Sequence, residues 1–146
     1  MPGKSKKSSS KSKPSGPVPC AVLWGLGPDS GRGAAVRSVL REMGLVCRTA
    51  MPERLGDPAG AFARLPAMRP RPVPYAGPMP AGEFVLLCGL TQPQVEEFCA
   101  RCREEDCVVG AKAALTRENR TWPLVRLIEA IKAEHAAMTG EGSATS

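Results

Sequence analysis

The sequence predicts an α/β fold: two tandem βαβα halves sharing one four-stranded sheet, with helices packed on it. Three observations carry this. Two short apolar runs, CAVLWGL at 20–26 and EFVLLCGL at 83–90, each close in Gly-Leu. Each run is followed by apolar residues at helical spacing and then by a second strand-like run. Aligning Ala21–Leu26 with Val85–Leu90, and Leu40–Glu42 with Cys102–Glu104, keeps the elements of the two halves in the same order. A ferredoxin-like split βαβ sandwich is the alternative, because the long connector between the halves can return either way.

Residues 1–19, MPGKSKKSSSKSKPSGPVP, hold almost nothing to bury and are expected to be a disordered Lys/Ser-rich tail. The domain proper is expected over 20–139. Its first half, 20–65, opens with a buried strand at Cys20–Leu26 and a turn at Gly27–Gly31. Ala34–Met43 follows as a helix, with Ala35, Val36, Val39, Leu40 and Met43 at helical spacing and Gly44 as its stop. Leu45–Met51 reads as a strand, and Asp57-Pro58 as the N-cap and first residue of a short helix to about Arg64. Six prolines between Pro66 and Gly82 exclude helix and central strand, leaving an extended surface connector.

The second half, 83–139, repeats the order. Glu83–Leu90 is a strand, and Thr91 caps a helix with Val95, Phe98, Cys99 and Cys102 on one face. Cys107–Leu115 is the next strand. Thr121 is expected to cap the last helix, whose stripe is Leu124, Leu127, Ile128, Ile131 and Met138. Residues 140–146 are expected to fray.

Composition narrows the function classes. A chain of 146 residues fits one domain and needs neither disulfide nor metal to fold. Five lysines of the tail supply five of the six net positive charges, so the body is nearly neutral. Its mean charge makes a poor trap for nucleic acid. The N-terminus lacks a signal-peptide pattern, no run reaches the length of a membrane span, and several cysteines sit inside apolar patterns. A cytoplasmic protein with reduced thiols is the expectation.

The second half also carries a recognisable pattern: Gly89-Leu90 at a strand end, Lys112-Ala113-Ala114-Leu115-Thr116, then Asn119, Trp122 and Glu134-His135. With Pro52-Glu53 in the first half, residues 20–138 resemble a bacterial family of domains of unknown function, number 3783. The resemblance implies a bacterial source and a shared fold, and it lends no activity. The Lys/Ser tail, and cysteines where apolar residues are usual, depart from the family.

Four motifs bear on possible chemistry. Cys99-x-x-Cys102 has metal or redox spacing, but only one histidine exists and both cysteines match the core stripe, so packing is favoured. The glycines from Gly25 to Gly33 fit no phosphate-loop spacing. Glu134-His135 are neighbours that do not share a helix face. Thr116-x-x-Asn119-x-x-Trp122 lies where a strand hands over to a helix, the end of α/β sheets that ligands prefer. Thr116, Asn119 and Trp122 are therefore the candidate ligand- or partner-binding residues, although turn amides and helix stapling explain them too.

The expectation is a non-enzymatic adaptor or regulatory binding domain with a protein partner. No catalytic residue, cofactor or metal is expected, nor a membrane contact. The alternative is weak, non-specific nucleic-acid binding through the basic tail; the third is a metal or thiol-redox protein using Cys99 and Cys102.

Overall fold

The structure, a computed structural model, describes residues 19–137. The expectations for the Lys/Ser tail and for 140–146 therefore fall, Pro19 apart, outside the described residues. Among the described residues, four strands and four α-helices alternate: β1 (Cys20–Trp24), α1 (Gly31–Glu42), β2 (Val46–Thr49), α2 (Ala59–Phe62), β3 (Phe84–Cys88), α3 (Gln92–Glu104), β4 (Lys112–Ala114) and α4 (Leu124–Ala136). Short 3-10 turns at Pro52–Arg54 and Asn119–Thr121 precede α2 and α4. The two βαβα halves share a single sheet of order β2-β1-β3-β4. Within each half the strands are parallel, but β1 and β3 are antiparallel, with Cys20 opposite Cys88 and Trp24 opposite Phe84.

That central pairing relates the halves by an approximate two-fold axis between Val22 and Leu86. Its consequences recur far from the axis. Gly25 and Gly89 both leave their strands with positive φ, 76° and 74°. Leu45 N donates to Leu40 O at 2.9 Å, as Cys107 N does to Cys102 O at 2.8 Å. The two halves meet again at Pro58 and Pro123, where Ala59 N donates to Trp122 O at 2.8 Å and Leu124 N to Asp57 O at 2.9 Å.

Strand alternation sorts the core into two layers. Ala21, Leu23, Val85 and Leu87 face α1 and α3, against Val36, Leu40, Phe98 and Cys102. Cys20, Val22, Phe84, Leu86 and Cys88 face α2 and α4, against Leu55, Leu124 and Ile128. The Pro-rich connector lies over this second layer: Met68 and Tyr75 pack against it, and Trp24 Nε1 donates to Pro80 O at 3.1 Å. Among the described residues no helix is long and apolar enough to cross a membrane.

Several local expectations are corrected. The last strand is only Lys112–Ala114, because Asp106 takes a left-handed φ of 56° and Cys107 N still caps α3. Thr121 does not cap α4; Pro123 occupies the N-cap, and the orphaned Leu124 amide finds Asp57 O instead. Asp57 likewise is not the cap of α2. Pro58 holds that place, while Asp57, 4% exposed, accepts Arg71 N at 2.8 Å and so ties the connector to the body. Thr91 does cap α3, in a reciprocal box with Gln94.

Charge is divided between the two sides of the sheet. Residues 48–82 and 115–137, which include the α2/α4 layer, hold nine Lys/Arg against five Asp/Glu. Residues 19–47 and 83–114 hold six against eight. The near-neutral mean thus conceals a basic side and an acidic side.

Candidate functional site

The structure places Thr116, Asn119 and Trp122 on one turn between β4 and α4. Thr116 and Asn119 serve the turn itself. Thr116 N donates to Asn119 Oδ1 at 2.8 Å, and Asn119 N to Thr116 Oγ1 at 3.0 Å. Asn119 Nδ2 donates back to Ala114 O at 3.1 Å. Trp122 is half-buried against the α2/α4 core, with the Arg126 guanidinium 4.3 Å from its ring centroid. The amide of Asn119 is therefore engaged, and Trp122 has its face covered by a cation–π contact.

What this turn does is project Arg117 and half-buried Arg120 over the carboxyl ends of β3 and β4. A cavity of about 150 Å³ there is lined by Leu65, Gly89, Leu115, Thr116, Arg117 and Arg120. A second, of about 300 Å³, shares Leu65 and Arg120 and is completed by Pro66, Ala67 and Met68. Together they make a cleft with arginines on one wall and an apolar connector on the other. Arg64 and Ala67, flanking Leu65, carry positive φ of 61° and 72°, conformations that non-glycine residues rarely adopt. Such strain gathers where a fold holds a surface in one shape. Of the candidate residues only Thr116 lines the cleft; Arg117 and Arg120 were missed. Their one sequence signal is two arginines flanking Asn119, which reads equally well as a solvated turn.

Cys20, Cys88, Cys102 and Cys107 are buried, and Cys47 and Cys99 are partly buried. Cys102 is 2% exposed, and burial first, then the neighbouring Cys107, pushes its thiol up to about 12. It stays protonated at neutral pH. Cys99 and Cys102 border a cavity of about 170 Å³ with Phe98 and Val109, and among the described residues no three His, Cys, Asp or Glu side chains gather as metal ligands. Cys20 and Cys88 face each other across β1 and β3, both fully buried. The hydrogen bond with Cys88 pulls the Cys20 thiol down against the opposing effect of burial, and Arg48 adds to the pull. Sharing that proton and burial push Cys88 up. Neither sulfur reaches solvent, so the pair is closed to a dissolved electrophile.

The glycine-rich loop before α1 is closed upon itself. Ser30 Oγ accepts Gly33 N at 2.9 Å, and a Cβ on Gly33 would lie 1.9 Å from Gly27 O. Arg32 pairs with Glu83 at 2.9 Å and also donates to Val108 O. His135 stands in the last turn of α4 beside Gly110, where a Cβ would come within 2.7 Å of its Nε2.

Comparison with known proteins adds one relation. Residues 83–138 match the family model described as Domain of unknown function (DUF3783). No curated protein and no solved structure matches the chain.

Proposed function

With residues 83–138 matching the DUF3783 family, we propose that the chain is a non-enzymatic binding module that docks an acidic protein segment in the Leu65/Arg120 cleft. The matched half supplies Gly89 and Leu115–Arg120; the first half and connector supply Leu65–Met68. One observation carries the reading: two arginines face an apolar, backbone-strained wall at the carboxyl ends of parallel strands, where α/β sheets take their ligands. Guanidinium groups recognise carboxylates by paired hydrogen bonds, and Leu65 and Met68 offer area to the apolar residues between them. A reducing bacterial cytoplasm is the setting proposed with it, all six cysteines being free thiols.

The test is fluorescence anisotropy with a labelled peptide of alternating Glu and Leu. Binding should weaken with salt, and Arg120→Ala should lower affinity about tenfold, the loss of one charged hydrogen-bonding group. Equal affinity of wild type and the Arg117→Ala/Arg120→Ala double variant overturns the reading.

One observation favours a second reading. Cys20, where the basic tail joins the body, pairs with Cys88, the residue before cleft-lining Gly89. Five lysines within residues 1–19 add cationic charge to a chain that already presents Arg117 and Arg120, a combination suited to a polyanion. A gel shift with RNA and DNA at rising salt, with and without residues 1–19, tests it; no shift at low salt rejects it.

A further inference from the structure

Among the described residues, two buried side-chain polar atoms have no hydrogen-bond partner: Arg48 Nε and Arg54 Nε. Buried nitrogens are nearly always satisfied, so each such atom calls for a physical reason. Both arginines line the same cavity. It measures about 390 Å³, lies beside edge strand β2, and shares no residue with the Leu65/Arg120 cleft.

Three elements bring guanidinium groups to this cavity. Arg48 comes from β2, Arg54 from the 3-10 turn, and Arg64 from the residues after α2, held there at a φ of 61°. Asp57 is the one carboxylate on the wall; its Oδ2 stands 3.4 Å from Arg54 Nε, near enough to balance that charge without aligned hydrogen bonding. Arg54 Nη2 is turned to Arg71 O at 3.0 Å. Arg48 also interacts with the Cys20 thiol, but three guanidinium groups on the wall still outnumber the single carboxylate of Asp57 by two. Phe62, Ala61 and Pro70 form its apolar wall.

We propose that this cavity is a binding site for a phosphate monoester. A dianion matches the two remaining charges, whereas a monocarboxylate leaves one of them uncompensated. The guanidinium fork presents parallel N–H donors to two oxygens of a tetrahedral phosphate. Phe62 and Pro70 meet the organic part of the ester. The site is independent of the acidic-segment cleft, so either can fail alone.

The experiment is calorimetric titration of the full chain with inorganic phosphate, phenyl phosphate and benzoate. Phenyl phosphate should bind at least tenfold tighter than inorganic phosphate through the apolar wall, and benzoate should bind more weakly than phenyl phosphate. Two variants keep the fold intact. Arg64→Gly suits the positive φ and removes one charge; Arg48→Met keeps an apolar stem and removes the unsatisfied nitrogen. Each should weaken phenyl phosphate about tenfold, while Arg48→Met leaves the thermal midpoint of the ligand-free protein unchanged or raised. Absence of phenyl phosphate binding overturns the proposal, as does binding that both variants leave intact. Phosphate and phenyl phosphate binding alike would assign the site to inorganic phosphate and overturn the ester.

Discussion

At the scale of single residues, burial decides what each side chain can do. Arginines 48 and 54 keep bare nitrogens because the backbone places them at a cavity wall, whereas Asn119 uses both ends of its amide on its own turn. The thiols follow the same logic and give a pH dependence. Burial raises Cys47 and Cys102, and the hydrogen bond with Cys20, then burial, raises Cys88, while the ordinary thiol value is 9.0. A raised folded value gives stability that is whole below the unfolded one and is lost as pH climbs through the window above it. For Cys102 that window runs from 9.0 to about 12. Cys20, shifted downward, has the opposite sign: its contribution is present above 9.0 and is lost as pH falls. Three raised thiols outnumber one lowered, so the urea midpoint at pH 10 should fall below that at pH 8. The slope per raised thiol is at most about 1.4 kcal/mol per pH unit. Cys102→Ala should flatten it, and a midpoint that rises with pH would refute the assignment.

At the scale of elements, the pattern of apolar runs was readable and the boundaries were not. Both strand-closing glycines, Gly25 and Gly89, stand where the chain must turn with positive φ, and the shared Gly-Leu ending displayed this in the sequence. The shortened β4 was not readable, because Cys107 and Val109 are apolar for burial in the α1/α3 layer and not for strand pairing. Nor were the proline-led starts of α2 and α4, whose amides are satisfied by each other's approach, a contact 65 positions along the chain. A contrast between glycines tests the turn. A Cβ on Gly25 would sit 2.1 Å from Gly82 O at a φ of 76°, while one on Gly31 meets nothing within 4 Å. Gly25→Ala should cost about 2 kcal/mol or more, and Gly31→Ala, at the start of α1, should be neutral or slightly stabilising. Chemical denaturation of the two variants measures this; equal effects would show that the Gly25 turn is not tightly constrained.

At the scale of the molecule, the family match covers residues 83–138, yet β3 in that stretch is hydrogen-bonded to β1 of the other half. Cut away, the segment bares the inner edge of β3 and one face of Phe84, Leu86 and Leu124. An open apolar edge is a template for pairing. A fragment of residues 83–138 should therefore be unfolded, or dimerise with the β3 strands of two copies antiparallel in place of β1 and β3. Gel filtration with circular dichroism distinguishes these from the outcome that rejects the argument, a folded monomer. The two-sided charge distribution also belongs to this scale. The basic side exists because residues distant in sequence share the α2/α4 layer, and averaging over the chain erases it.

By itself the sequence determined the order of elements, the kinship of the two halves and the apolar runs of the inner strands, since periodicity and apolar runs are local properties. It also located the turn at Thr116–Trp122, though not the arginines that this turn presents. Tertiary structure alone decided that the middle strands run antiparallel and which arginines meet around each cavity. Those outcomes depend on how the connector returns and on residues far apart meeting in space, and no local pattern encodes either.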